Sequence, residues 1–298
     1  MNKKFIIIAS LLCLVGCNNN SISSSQTTSE EIKEEIDKSL KIMSCNLDQG
    51  ATEDKHELVA NKIKEEMPDL FGVQEETHAW EEYLRPEFEK YGYEHVLMYR
   101  GGSFDEASGI FYSVDRFSLI ESGAFWLGPS LEAGPGYVAT EWGAQYPRVC
   151  TFVILKDKLT NKEISYYNSH FDYTKDVPVR KNSAEQIINK MKEKNVIGFL
   201  SGDLNFYKEN EEDTYKVLTD YFDDSYLKNT EPSCTFHDYG KELDENTKVG
   251  PNSPIDYIFS TKGEFETKEF KILKETGPTF YSDHFFIEAV FDYKNKQY

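Results

Sequence analysis

The sequence predicts an α/β domain with its strands in the interior. Three observations carry that reading. Nine short apolar runs have the length and the β-branched or aromatic content of strands; three amphipathic stretches are set among them; and no Pro/Gly/Ser-rich linker interrupts the chain after Lys41. With 39% hydrophobic and 14% aromatic residues in 298, there is ample material for a core, which excludes global disorder.

At the start of the chain, Lys3 and Lys4 precede an apolar stretch over 5–15. That stretch is too short to cross a bilayer comfortably and has the length of an export signal's apolar region. It ends in Leu14-Val15-Gly16-Cys17, which resembles the bacterial lipobox. The resemblance implies cleavage before Cys17 and lipidation of that cysteine; the competing account is a plain signal peptide with an incidental cysteine. Several acyl chains would anchor the protein stably, each buried methylene contributing about 0.8 kcal/mol. Residues 18–29 are rich in Asn, Ser and Thr, and an acidic run follows over 30–37. This composition suits a flexible tether, with a reach of roughly 25 Å for about 20 coil residues. The expected division is a signal peptide over 1–16, a lipidated cysteine and tether over 17–39, and one domain over 40–298. The expected location is the bacterial cell envelope, and the expected state a monomer.

The strand-like runs fall at 40–47, 70–74, 95–99, 109–113, 149–155, 164–168, 196–200, 255–260 and 285–291. Between the first two, Asp54-x-x-Glu57 resembles a capping box, and Val59, Ile63 and Met67 then recur on one face until Pro68. Pro178 suits a first helical turn, and Ser183, Ile187 and Met191, with Ala184 and Ile188 beside them, form a second stripe. A third helix is expected over 211–222. Cys13 leaves with the signal and Cys17 carries lipid, so Cys45, Cys150 and Cys234 remain. An odd number in strand-like surroundings reads as small buried hydrophobes rather than a disulfide framework, and the spacing matches no zinc site. The formal charge of −19 repels polyanions at long range, which counts against tight non-specific nucleic-acid binding. Bound cations or a local basic groove would reverse that sign near a site.

The informative pattern is where polar residues sit relative to the strands. Asn46 and Glu75 end the first two runs, and His170 with Asp172 follows 165–169. Asp203 and Asn205 follow 197–202, Asp256 opens 257–259, and Asp283-His284 precede Phe285-Phe286. A carboxylate or imidazole beside a buried strand is costly unless paired or bound to metal. One such residue is ordinary; six clusters are hard to explain as loop chemistry alone.

In chain order these segments read Ser44-Cys45-Asn46-Leu47, Gln74-Glu75, Asn168-Ser169-His170-Phe171-Asp172, Gly202-Asp203-Leu204-Asn205, Ile255-Asp256-Tyr257-Ile258-Phe259 and Ser282-Asp283-His284. With them the chain resembles, over 41–291, the endonuclease/exonuclease/phosphatase superfamily of deoxyribonuclease I-like, metal-dependent phosphoesterases. That family includes apurinic endonucleases, deadenylases, sphingomyelinases and inositol-polyphosphate 5-phosphatases. The resemblance implies a four-layer α/β/β/α sandwich, two mixed β-sheets face to face with helices outside, and an active site at one end.

It also implies roles. Glu75 is the leading Mg²⁺ ligand, with Asn46 and Asp283 helping directly or through water and Mn²⁺ as a possible substitute. Asp203 orients or deprotonates the attacking water, while the Asn205 amide donates to a phosphoryl oxygen. His284 is the candidate general base, its tautomer held by Asp283 or Asp256, and His170 the second imidazole, donating to a non-bridging oxygen or the leaving group. Asp172 and Asp256 are expected to fix His170 and His284. Arg148, in Trp142-Gly143-Ala144-Gln145-Tyr146-Pro147-Arg148, is a candidate phosphate grip against a structural salt bridge, and Arg180, at the start of the second helix, is open to the same two readings. His56, His78 and His95 lack motif context and read as solvated. Two departures stand out: Phe286 sits where many relatives have proline, and the loop 100–106 follows the family only loosely. The function implied is Mg²⁺-dependent phosphoester hydrolysis, on a small-molecule or lipid-derived substrate in preference to nucleic acid. The alternative is an inactive surface lipoprotein that binds a phospholigand or partner on the same scaffold.

Overall fold

The computed structural model describes residues 37–102, 105–130, 132–175, 177–230, 232–243, 253–274 and 279–294. The expected signal peptide, Cys17 and most of the tether lie outside the described residues. In chain order the elements are β1 (Leu40–Asn46), α1 (Asp54–Glu66), β2 (Leu70–Glu76), α2 (His78–Glu89), β3 (Tyr93–Val96), β4 (Ala107–Ser113), β5 (Phe117–Trp126), β6 (Val149–Asp157), β7 (Glu163–Ser169), α3 (Val179–Lys194), β8 (Gly198–Asp203), α4 (Glu212–Tyr221), β9 (Phe222–Asp224), β10 (Asp256–Thr261), β11 (Phe265–Leu273) and β12 (Phe286–Tyr293).

The strands form two mixed six-stranded sheets, ordered β11-β12-β1-β2-β4-β3 and β5-β6-β7-β8-β10-β9. Their inner faces meet in a core that includes Ile42, Leu70 and Ile110 from one sheet and Val153, Tyr166, Phe199 and Ile258 from the other. Outside the first sheet, Val59 and Ile63 of α1 and Trp80, Leu84 and Phe88 of α2 pack on Met43, Phe71 and Phe111. Outside the second, Ile187 and Met191 of α3 and Leu218 of α4 pack on Tyr167, Leu200 and Phe259. The result is the four-layer α/β/β/α sandwich that the resemblance implied.

Across the sheet–sheet interface one polar residue does what apolar packing cannot. Asn168 is fully buried, and its amide nitrogen donates to the carbonyls of Val73 and Gly109 at 2.8 Å each. Its oxygen accepts from Gln74 Nε2 at 2.7 Å. A strand of one sheet is thereby tied to two of the other by bonds with direction, which burial alone does not impose.

Some local expectations change. α1 begins at Asp54 after Glu53, without a side-chain cap, because the Asp54 carboxylate accepts from the Thr52 hydroxyl. His95 is not solvated: it stacks on Phe111 with ring centres 3.9 Å apart and faces the buried Glu76 at 3.2 Å. His56 is also buried, against Trp80. Both imidazoles cover aromatic surface that would otherwise meet water. Cys45, Cys150 and Cys234 are buried and free of disulfides.

Candidate active site

Topology brings the polar strand ends to one rim. β1 runs parallel to β2, with Asn46 opposite Gln74, and β7 runs parallel to β8, so Asn46, Glu75, His170 and Asp203 leave from C-terminal ends. The neighbours β4, β6, β10 and β12 run antiparallel to these strands, so the residues at their N-terminal starts arrive at the same end. Asp256 stands directly opposite Asp203, and Glu106, Arg148 and Asp283-His284 enter just before β4, β6 and β12.

The backbone at this rim is bent to aim the side chains. A register shift between Val73 and Glu76 interrupts the β2–β4 ladder, and Glu75 adopts a left-handed φ of 58° there. Asp48 and Asn205 are also left-handed, with φ of 61° and 54°. Non-glycine residues hold such angles where the surroundings over-determine them, and bulges commonly re-aim a side chain beside a site. Gly202, at φ 146°, is required: a Cβ there would meet the Ser169 carbonyl oxygen at 1.8 Å.

The innermost group is a chain of three. His284 Nδ1 faces Asp256 Oδ2 at 2.8 Å, and its Nε2 lies 3.7 Å from Asp203 Oδ2. The Asn46 amide nitrogen donates to Asp203 Oδ2 at 3.0 Å and to Glu75 Oε1 at 3.3 Å. Burial, then the Asp256 charge, pushes Asp203 up to about 8. Burial would depress His284, but Asp256, through charge and hydrogen bond, and Asp203 outweigh it and raise the imidazole well above its usual value. His170 goes the other way, lowered by burial and by the Arg148 and Arg100 charges. Its Nε2 is 3.4 Å from Asp203 Oδ2 and its Nδ1 3.6 Å from Glu106 Oε1. Two imidazoles in one site are thus held in opposite charge preferences.

Several placements differ from expectation. Of the two acids named for His284, Asp256 makes the contact, as expected of it, and Asp283 instead lines the cleft, pushed up to about 6 mainly by burial, with Asp48 and Glu75 adding to it. Asp172 does not reach His170. It accepts instead from the backbone N–H groups of Gln145 and Tyr146, at 2.9 Å each, and of Thr174 at 2.7 Å. Asn46 turns its oxygen to the Asp48 N–H at 3.1 Å, so a nitrogen rather than an oxygen faces the acids. Asn205 donates to the Phe171 carbonyl at 3.0 Å. Arg180 is committed to structure, bonding the Asp172 and Thr174 carbonyls and Glu211. Arg148 is buried on Glu106 at 2.9 Å and also lines the cleft, so salt bridge and ligand-facing position coexist.

Sequence reasoning passed over Glu106 and Arg100. Glu106 is buried among Arg100, Arg148 and His170, and its carboxyl is raised, first by burial. The available signal was positional: it precedes a strand start, as Asp256 does.

The donor set fits a divalent cation. Glu75, Glu106 and His170 each bring one ligand atom within 4.8 Å of the others, and Asp203, Asp256 and His284 form a second such group. In the first group, Glu106 Oε2 and His170 Nδ1 are buried with no hydrogen-bond partner, a costly state that an ion would relieve. In the second, Asp256 and His284 are already spent on each other. A cleft of about 1290 Å³ opens onto these groups, lined also by Tyr146, Tyr173, Lys175, Lys181 and the acids near the start of α4.

No protein-family model and no curated protein matches the chain. Solved structures do. An endonuclease/exonuclease/phosphatase from Bacteroides vulgatus is 24% identical over 87% of this chain and 100% of its own, with a TM-score of 0.73. A mannosyl-6-phosphatase from Bacteroides thetaiotaomicron is 26% identical over 85% of this chain and 100% of its own, at 0.68. D. rerio TDP2, complexed with a single-strand DNA product, shares the fold at 19% identity and a TM-score of 0.66, over 86% of this chain and 100% of its own.

Proposed function

We propose that this chain, which belongs to the endonuclease/exonuclease/phosphatase superfamily, hydrolyses a phosphoester by in-line attack of water, with Mg²⁺ as cofactor and Mn²⁺ as a substitute. The observation that supports this most is the Asp256–His284–Asp203 chain beneath a cleft that also presents Arg148 and His170. Asp203 and His284 Nε2 form the proton-accepting pair for the attacking water, and Asp256 sets the His284 tautomer, so that Nε2 rather than Nδ1 faces the reaction. His170 donates a hydrogen bond to a phosphoryl oxygen, and Arg148, held by Glu106, adds a fixed positive charge as negative charge grows there. Glu75, with Glu106 beside it, would hold the cation, which when bound supplies charge stabilisation at phosphorus and at the leaving oxygen.

A small phosphoester is favoured over long DNA. Glu209, Glu212 and Asp213 line the cleft along with Lys175 and Lys181, a mixed-sign surface that offers no continuous basic track for a polyanion. The solved structures of this fold include a mannosyl-6-phosphatase and a TDP2 complexed with a single-strand DNA product. The test panel is therefore bis-p-nitrophenyl phosphate and p-nitrophenyl phosphate, read by release of p-nitrophenol, with hexose 6-phosphates and single-stranded DNA beside them. Activity is expected with Mg²⁺ or Mn²⁺ and is expected to vanish with chelator and return on adding metal. Absence of turnover on the whole panel with either metal would sink the reading.

We also propose that the protein is exported and held at the cell envelope through Cys17, a reading supported by Lys3, Lys4 and the lipobox-like Leu14-Val15-Gly16-Cys17. Labelled palmitate is expected to enter the full chain and not Cys17→Ser; equal labelling of both would overturn the anchor.

A further inference from the structure

The cleft carries a pair of tyrosines that the hydrolytic chemistry does not use. Tyr146 and Tyr173 lie with ring centres 5.1 Å apart, tilted by 33°, and their hydroxyls are hydrogen-bonded at 2.7 Å. Tyr173 is 51% exposed, which a ring in a core would not be. The pair comes from two separate loops, and Asp172 fastens both. One of its oxygens takes the Gln145 and Tyr146 N–H groups, the other takes the Thr174 N–H, and the residue itself is next to Tyr173. A buried carboxylate spent on aligning one exposed ring and one partly buried ring needs a reason, and packing does not supply one.

Position supplies it. The Arg100 and Arg148 guanidiniums lie 5.6 and 5.8 Å from the Tyr146 ring centre, and Arg148 bonds Glu106, which faces His170. The tyrosines therefore line the same cleft as the phosphate-facing groups and border them, where the alcohol part of an ester has room to lie. We propose that Tyr146 and Tyr173 are the leaving-group platform and that the group they take is the pyranose ring of a sugar phosphate. The proposal rests on the phosphoesterase reading above.

Three features select a sugar over the alternatives. With their centres only 5.1 Å apart the two rings leave no slot between them for a flat base to enter, whereas the exposed Tyr173 ring by itself can take the C–H face of a puckered ring. Glu209, Asn210, Glu212 and Asp213 line the same cleft with carboxylate and amide oxygens, acceptors for the hydroxyls that a pyranose carries. Those same acids repel the second phosphate that a polynucleotide would bring.

The experiment compares kcat/KM for hexose 6-phosphates, glycerol 3-phosphate and nucleoside 5′-monophosphates in the full chain, Tyr173→Ala and Tyr173→Phe. Calorimetric binding of hexose 6-phosphate is measured alongside. The ratio of hexose to glycerol ester is expected to fall on the order of tenfold in Tyr173→Ala, mostly through KM, the scale of one aromatic contact. Tyr173→Phe keeps the ring and is expected to keep the ratio within about threefold. The platform is overturned if the ratio is unchanged in Tyr173→Ala, or if a nucleoside monophosphate is the tyrosine-dependent substrate. If no ester is turned over, the hydrolytic reading fails by itself, and the calorimetry still decides the platform: hexose phosphate binding that Tyr173→Ala leaves unaltered overturns it.

Discussion

Replacing His284 by alanine is expected to lower turnover by at least ~10²-fold, the usual scale for losing a positioned proton-transfer group. The argument is geometric. Both imidazoles of the site lie between carboxylates, but His284 is the one held by one at hydrogen-bond distance, Asp256 at 2.8 Å from Nδ1, with Asp203 at 3.7 Å from Nε2. Alanine removes both the proton carrier and the cation-like neighbour that separates two buried acids. Asp256→Asn is the gentler variant, since it keeps volume and hydrogen bonding but removes charge. Asp256 contributes most to raising His284 against burial, so its loss lowers the imidazole's pKa. A base works when unprotonated, so the acid limb of the rate profile is expected to move to lower pH in Asp256→Asn, with a reduced plateau. Stopped-assay pH profiles on a p-nitrophenyl ester read both effects. A His284→Ala protein with wild-type turnover, or an acid limb that stays put in Asp256→Asn, would remove these roles.

Asn168→Ala is expected to destabilise the protein by about 2–5 kcal/mol, from roughly 1–3 kcal/mol for each buried polar group left without its partner. The Val73 and Gly109 carbonyls lose their amide donor and Gln74 Nε2 keeps only the Ser44 hydroxyl of its two acceptors, all of them buried between the sheets. Urea unfolding should show a lower midpoint with an unchanged slope, because the surface exposed on unfolding is the same. A loss below about 1 kcal/mol would mean that the sheets hold register without this link. Activity should fall further than the folded fraction, since Val73 is where the ladder breaks to aim Glu75.

These two residues also show what a linear reading can and cannot see. His284 was legible because a histidine and an aspartate flank an apolar run, an expensive place for charge. Asn168 sits in the same kind of motif and belongs instead to the interior, two residues before His170. The strands that were missed tell a similar story. β5, β9 and β11 are edge strands or lie at edges, and β3 was placed late. β5 and β11 expose residues such as Glu121 and Lys268, so neither reads as an apolar run. α2 hides its stripe of Trp80, Leu84 and Phe88 behind Pro86, which sits inside the helix.

The partners within the site were the hardest part. Whether Asp256 or Asp283 reaches His284 depends on which strand lies beside which: β10 pairs with β8, which puts Asp256 opposite Asp203. Asp172, two residues from His170, would share its face in a continued strand, but β7 ends at Ser169 and the loop beyond it turns the Asp172 carboxylate to the N–H groups of Gln145, Tyr146 and Thr174. Glu106 enters through β4, far in sequence from the histidine it faces.

By itself, the order of apolar runs and the polar residues at their ends determined the layered α/β class, the family likeness and which six segments gather at one rim, because burial makes such placements costly by accident. Only the tertiary structure decided which carboxylate serves which imidazole and what Asp172 holds. Those are questions of strand neighbours and register, set by contacts between residues far apart in the chain.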